Sequence, residues 1–431
     1  MLEYNVHGFG AATADLSAAD MQPIVETALK SIAPGTRVLA VVSDRTRDDN
    51  TPELFPLISQ ALARARAATL DVLVAQGTHV AMSDRDKRAK IGAGVSPVPL
   101  LGTIFDHHWD RDSELTTLGT IGADVIAEET GGLLRESVSI RLNKRLAPGQ
   151  YDLVLVIGAT VPHEVAGFAG GAKYFFPGVA GPELTHLTHW LGALATIERV
   201  IGRVETPTRR LIEAAAAFVP TPVIAFTTVS TRDESGLKTR ALFAGDLRAT
   251  VRRAAEISQQ VHVRYTGRRY KRIVAILDDH YDELWVGGKA SYKLGSIIER
   301  GGELIIYAPH LSGISATHGA LIEKYGYAPL ERVRDMVEGS DELRANLCVA
   351  AHLAHVSYAG ETGEDGVVTP RYRITLAANL SEETCRKVNL GYLDMRTFNP
   401  RGFGDDPDTL VVTNAGRDLY LVDREGPNQK Q

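Results

Sequence analysis

Two spacings of apolar residues alternate along the first 260 or so positions. Residues 37–43 (RVLAVVS) form a short, almost unbroken apolar run, the pattern of a strand buried on both faces. Residues 51–66 switch to helical spacing, with Leu54, Leu57, Ile58 and Leu62 on one stripe. A second strand is expected at 70–75, a charged helix at 83–91, a third strand at 152–158 (DLVLVIG) and a fourth at 223–228. This rhythm predicts a mainly parallel sheet with helices on both faces.

A helix over about 247–260 then leads into the basic, turn-prone Tyr265-Thr266-Gly267-Arg268-Arg269, after which a new apolar strand begins at 272–277 (RIVAIL). The division is placed there, giving an N-terminal α/β domain over 1–265 and a C-terminal α/β domain over 266–431. The second half repeats the pattern with a helix near 289–299, Gly301-Gly302, a strand at 304–307 and further strands at 372–376 and 409–413. The fold class expected is α/β with two domains, each a mainly parallel sheet flanked by helices. Residues 427–431 form a polar tail, and no internal repeat is visible.

Composition narrows the function. A chain of 431 residues is too long for one compact core. Charged residues are 23% and hydrophobic residues 44%, ordinary values for a globular protein. The net charge is −6 with both signs interleaved, so no basic stripe for nucleic acid is present and any cationic pocket must be local. Cys348 and Cys385 are the only cysteines, which argues against a disulfide framework and fits a reducing compartment. The start, Met1-Leu2-Glu3-Tyr4, lacks the pattern of a signal peptide. No stretch approaches the roughly 18 uninterrupted apolar residues of a membrane helix. The expected location is cytoplasmic, with no membrane or nucleic-acid partner.

Four clusters that could carry chemistry each follow an expected strand, where open parallel α/β sheets bind ligands. Asp44-Arg45-Thr46-Arg47 pairs an acid with a guanidinium able to hold a carboxylate bidentately, although Asp44 would serve equally as a helix N-cap. Gln76-Gly77-Thr78-His79 puts a histidine, the side chain suited to proton transfer near neutral pH, after a glycine turn. The run from Pro162 through His163, Gly167, Gly170, Gly171 and Lys173 to Pro177-Gly178 is the most specific. Three glycines within five residues let backbone approach a ligand closely, and a lysine beside such a loop can act as a nucleophile. In Thr185-His186-Leu187-Thr188-His189, helical spacing puts both histidines on one face. Histidine pairs of this spacing occur in metal sites, usually with a further ligand. The neighbours His107 and His108 would point opposite ways on a strand, so at most one belongs to a site.

Taken together and in order, these clusters resemble the lactate racemase family. Its Asp-x-x-Arg corresponds to Asp44 and Arg47, and its Gly-Thr-His ends at His79. Its long glycine motif corresponds to His163 through Gly178, and its metal histidine to His189. The resemblance implies a nickel-dependent enzyme that inverts the hydroxyl-bearing carbon of a small-molecule 2-hydroxy acid. It implies a nickel-pincer nucleotide (nickel pyridinium-3,5-bisthiocarboxylic acid mononucleotide) joined covalently to Lys173. Asp44, Gly170 and Gly171 would line that cofactor, and His189 would complete the nickel's tetragonal coordination. His79 and His163 would be the acid/base pair, one for each face of the substrate. Arg47 and Lys289, with Lys293 as the alternative, would hold the substrate carboxylate, which would place the active site in the interdomain cleft. Separate cofactor-biosynthesis proteins are implied as partners, and self-association into a homo-oligomer stays open.

The sequence departs from the family's lactate enzymes before Lys289. Those enzymes have Tyr-Gln there, whereas this chain has Trp285-Val286-Gly287-Gly288. Lactate is therefore not the expected substrate. The polar residues His107, His108, Tyr292, His310 and His318 would suit a longer, more hydroxylated acid, such as a sugar acid epimerised at C2. Two rivals are a dehydrogenase using free NAD, which the absence of a G-x-G-x-x-G after the first strand disfavours, and a non-catalytic nickel-nucleotide binding protein, for which bases on two faces have no use.

Overall fold

The structure is a computed structural model that describes residues 6–403 and 406–424; the polar tail at 427–431 lies outside them. The chain divides into two compact units, one of Met1–Thr188 with Arg203–Val261 and one of His189–Gly202 with His262–Gln431. The change at 261/262 lies a few residues before the division read at 265/266. The sequence carried no sign that residues 189–202 join the second unit.

The first unit is built on a seven-stranded sheet. Its strands are β1 (His7–Gly10), β2 (Arg37–Ser43), β3 (Thr69–Ala75), β4 (Leu101–Phe105), β5 (Leu153–Ala159), β6 (Val223–Asp233) and β7 (Gly236–Gly245). Their order is β1-β7-β6-β5-β2-β3-β4. All neighbours from β6 to β4 run parallel, while β1 and β7 close one edge antiparallel. The alternation along β7 shows why both faces must be covered. Leu242 and Ala244 pack into one core with Met21, Val25, Leu54, Ile58 and Leu62 from the helices Ala18–Leu29 and Thr51–Arg64. Ala241 and Phe243 face a second core with Ala254 and Val261 from the helix Leu247–His262. Burying a side chain such as Leu54 or Phe243 on these faces contributes about 1.5–3 kcal/mol each, which is why β2 and β5 read as near-continuous apolar runs.

The second unit carries a wholly parallel sheet of β8 (Tyr270–Ile276), β9 (Ile298–Ala308), β10 (Arg373–Ala378), β11 (Gly391–Tyr392) and β12 (Thr409–Thr413). Its order is β11-β10-β9-β8-β12. The helix read at 289–299 is shorter: Lys289–Leu294 is helical, a 3-10 turn covers Gly295–Ile297, and β9 begins at Ile298. Gly295 lies flat against the Tyr358 ring, where any Cβ would collide, and β-branched Ile297 and Ile298 then favour strand. The helix Leu347–Ser357 is buried on every side, so it shows no apolar stripe to read. The antiparallel pair Leu115–Ile121 and Val138–Asn143 is a further element the sequence reading lacks: threonines and glycine break the alternation of the first strand, whereas the second (VSIRLN) does alternate.

Candidate active site

Three adjacent parallel strands of the first unit end side by side. Ser43 of β2 is level with Ala75 of β3, and Val42 with Ile157 of β5. The segments that follow, beginning at Asp44, Gln76 and Thr160, therefore leave one edge of the sheet together. This is where strand-end chemistry is expected, and it brings Asp44, Arg47, His79, His163, Gly170, Gly171 and Lys173 onto that edge.

Asp44 is buried at 4% exposure. One carboxylate oxygen accepts from the backbone N–H of Thr46 at 3.0 Å and from its hydroxyl at 2.6 Å. The other meets Nδ1 of His79 at 2.5 Å. Burial works against the carboxylate, but the His79 imidazole, Arg47 and the Thr46 hydroxyl outweigh it and hold Asp44 well below the usual range. Asp44 caps no helix, since the next one, Thr51–Arg64, has Asn50 at its N-cap position; its carboxylate instead meets a histidine. A carboxylate can only accept, so Nδ1 of His79 carries the hydrogen and Nε2 is left as the basic nitrogen. The His79 side chain keeps 29% exposure, enough to meet a ligand. Its turn is fixed by Gly77 at φ +56, whose N–H donates to the Gly178 carbonyl at 2.9 Å. The His79 turn is thus tied directly to the chain that follows Lys173.

His163 is buried and sits in a two-residue antiparallel bridge with Gly167. Its Nδ1 accepts the Val165 backbone N–H at 3.1 Å, so in the neutral ring Nε2 carries the hydrogen. Glu164 lies 3.6 Å from that nitrogen. The two histidines therefore hold opposite tautomers, one presenting a lone pair and one a proton.

Lys173 is half-buried on the 3-10 turn Gly171–Tyr174. Gly170 at φ +94 and Gly171 at φ +60 adopt backbone that other residues rarely take, and a Cβ would press on Thr160 or on Val251 and the Leu247 carbonyl. Arg209, wholly buried on the helix Pro207–Ala216, locks this turn from behind by donating to the Gly170 carbonyl at 3.1 Å and to the Phe168 carbonyl. Burial lowers its pKa to about 10. Sequence reasoning missed Arg209; the available signal was an arginine on the buried face of that helix, among Thr208, Leu211, Ile212 and Ala215.

Other candidates are engaged in the fold. His107 and His108 follow β4 in a loop rather than occupying a strand. His107 is buried, with Nε2 donating to the Ala180 carbonyl at 2.9 Å and Nδ1 accepting from Asn143 at 3.2 Å. Burial pushes its pKa down to about 4, so it is a neutral structural residue. His186 lies edge-on to Trp109 with ring centroids 5.9 Å apart. It shares the helix Pro182–Leu194 with His189, but His189 is grouped with the second unit.

Within the second unit, Lys289 opens the helix Lys289–Leu294 half-buried, its ammonium 5.9 Å from the Tyr281 ring centroid, while Lys293 is buried. Tyr292 donates to or accepts from His352 at 2.9 Å, His310 bonds the Tyr281 carbonyl at 3.2 Å, and His318 stacks on Trp285 with centroids 4.4 Å apart. No helix among the described residues is long and apolar enough to cross a membrane.

A carboxylate-bound histidine, a second buried histidine, an arginine and a lysine on a glycine turn thus lie along the carboxyl edge of one α/β sheet. Residues 11–200 match the family model of the lactate racemase N-terminal domain. The lactate racemase of Thermoanaerobacterium thermosaccharolyticum is 27% identical over 170 residues, covering 39% of this chain and 35% of that protein. The match thus spans about a third of that relative's length. Among solved structures, a protein from Thermotoga maritima superposes with a TM-score of 0.86 at 29% identity, covering 96% of this chain and 99% of that one. The lactate racemase apoprotein from T. thermosaccharolyticum gives a TM-score of 0.70 at 16% identity, covering 95% and 93%, a likeness of fold. Residues 11–200 thus resemble the lactate racemase N-terminal domain, and the chain is similar to lactate racemase at low identity.

Proposed function

We propose that the protein inverts C2 of a 2-hydroxy acid as a racemase or epimerase, using a nickel-pincer nucleotide joined to Lys173, and that its substrate is a sugar acid rather than lactate. The observation that carries this reading is the Asp44–His79 contact, which leaves Nε2 of His79 as a base, together with the buried His163 on the segment that leads to the glycine turn of Lys173. Inversion needs a base on one face and an acid on the other: Nε2 of His79 is oriented as the base, and His163 is the second imidazole, an acid when it carries a second proton.

The donor set fits the nucleotide. Lys173 would provide the amine for the covalent link, and a metal whose other ligands belong to the nucleotide would need one protein nitrogen, from His189. No cage of several side chains is required; the cluster of metal-type groups found among the described residues, Asp278, Asp279 and His280, is largely exposed on the loop after β8. When bound, the group supplies the acceptor and donor of hydride at C2. The chain's own residues manage protons and charge. Nε2 of the neutral His79 would take the hydroxyl proton, and His163 as an imidazolium would return one on the opposite face and become neutral, after which the roles are exchanged. The Arg47 guanidinium holds the carboxylate, with Lys289 as its second cation. Asp44 keeps the His79 ring in place and stabilises the imidazolium that forms.

The substrate reading rests on the replacement of Tyr-Gln by Trp285-Val286-Gly287-Gly288. It draws less on His107, Tyr292 and His310, whose ring or hydroxyl groups are bonded within the fold. The test is the intact mass and nickel content of protein co-expressed with the cofactor-synthesis proteins, compared with Lys173→Ala. A nucleotide-sized adduct with nickel, absent from the variant, is the expected result and leads to a screen of sugar acids and lactate. A folded wild-type protein with neither adduct nor nickel would sink the proposal.

A further inference from the structure

A buried ion pair lies directly under the Arg47 loop, and neither the acid/base chemistry nor the cofactor uses it. Lys90, the last residue of the helix Asp84–Lys90, places Nζ 2.8 Å from Oδ1 of Asp49 and 2.9 Å from the backbone carbonyl of Arg47. The two side chains are 8% and 0% exposed. The Asp49 carboxylate also accepts from the Ser43 hydroxyl at 2.5 Å and from the Thr51 N–H at 3.1 Å. Ser43 also lies beside Tyr174, the neighbour of Lys173. Asp49 therefore joins the end of β2, the Lys90 ammonium that holds the Arg47 loop, and the start of the helix Thr51–Arg64.

Stability alone is a poor account of such a pair. Removing two charges from water costs several kcal/mol per ion, and well-packed apolar residues of similar volume often serve a core as well. What an apolar pair cannot do is donate to a loop carbonyl. The ammonium has three donors and no acceptor, and one of them fixes the peptide oxygen of Arg47 itself. The other anchor of the loop is the Arg47 N–H, which donates to the Asp44 carbonyl at 3.3 Å. These two anchors hold the peptide groups on either side of the Arg47 Cα, the atom from which its side chain leaves, and Arg47 is half-buried.

We propose that Lys90 and Asp49 are positioning residues that hold Arg47 in register for the carboxylate of the substrate. The proposal rests on the reading of Arg47 as the carboxylate ligand, and the test separates the two. Lys90→Met alone would leave a buried carboxylate without its cation, so the neutral pair Lys90→Met with Asp49→Asn is made, alone and combined with Arg47→Ala. KM and kcat are measured on the loaded enzyme with the best substrate from the acid screen, and thermal unfolding follows the fold.

The neutral pair is expected to raise KM about tenfold, the equivalent of about 1.4 kcal/mol, while kcat changes little, and to add nothing further once Arg47 is alanine. Multiplying effects in the triple variant would overturn the positioning role, as would an unchanged KM in the neutral pair when Arg47→Ala raises it. An unchanged KM in Arg47→Ala would remove the carboxylate reading first and the proposal with it. If the neutral pair does not fold, Lys90→Arg decides: it keeps the charge but displaces the donor to the loop carbonyl, so a raised KM supports the role and an unchanged one ends it.

Discussion

Histidines are handled in opposite ways in the two units. In the first, His79 meets a carboxylate through one nitrogen, keeps 29% of its side chain exposed and has its second nitrogen left as a base. In the second, His352 has both nitrogens taken by tyrosine hydroxyls, Nδ1 by Tyr292 at 2.9 Å and Nε2 by Tyr327 at 3.2 Å. Its ring also lies 4.2 Å from that of Trp285. Burial, then the neighbouring His355, His318 and His189, push its pKa well below the usual value. A neutral imidazole there must donate to one tyrosine and accept from the other. The hydrogen-bond partner decides what each ring can do. A carboxylate fixes a tautomer and frees a base, while two hydroxyls in a closed core consume the ring.

The largest effect that sharpens this contrast is on chemistry. His79→Ala should lower kcat by about 10²–10⁴-fold, with the covalent adduct at Lys173 retained by mass. Asp44→Asn should lose a similar order, because an amide no longer enforces the Nδ1–H tautomer. By contrast, His352→Phe should act on stability. It removes the ring that Tyr292 and Tyr327 share, and a buried hydroxyl such as that of Tyr327 left unsatisfied costs about 1–3 kcal/mol. Urea unfolding should report it; a variant that unfolds like the wild type but loses all turnover would erase the distinction between the units.

His107 provides a smaller, pH-dependent effect. Its folded pKa, about 4, lies below the ordinary histidine value of 6.5 because burial disfavours the charged ring. The unfolded chain then takes up a proton that the folded chain refuses as pH falls. The stabilising contribution is whole above about 6.5 and is lost toward 4, amounting to about 2 kcal/mol between pH 7 and pH 5. The slope of unfolding free energy over that window should flatten in His107→Gln. An effect of similar size is expected for Gly170→Ala, whose extended backbone at positive φ is essentially glycine-only and costs an alanine about 1–3 kcal/mol. It should also loosen the Arg209 clamp, read as a lower Tm and weaker adduct formation at Lys173.

Much of the fold is legible in the chain because burial on both faces writes unbroken apolar runs, as in β2 and β5, and one-sided burial writes a stripe, as in the helix Thr51–Arg64. The Leu347–Ser357 helix is silent for the converse reason: packed on all sides, it has no polar face to set a period. The strand-end positions of Asp44, His79 and Lys173 were also readable, since each follows an apolar run and glycine marks two of the turns.

The order of residues alone encodes the α/β class, the family resemblance and the succession of chemical groups along the chain. Which of those groups have partners that leave them free to act is settled by packing in three dimensions. His79 and His107 are both histidines just past a strand, yet one faces a carboxylate and the other a carbonyl and an amide. Likewise Lys90, Asp49 and Arg209 read as ordinary charges on helices and a loop. Their roles come from neighbours some 40 positions away. Hydrogen bonds and burial are properties of proximity in space, and no local pattern encodes which distant group will stand 3 Å away.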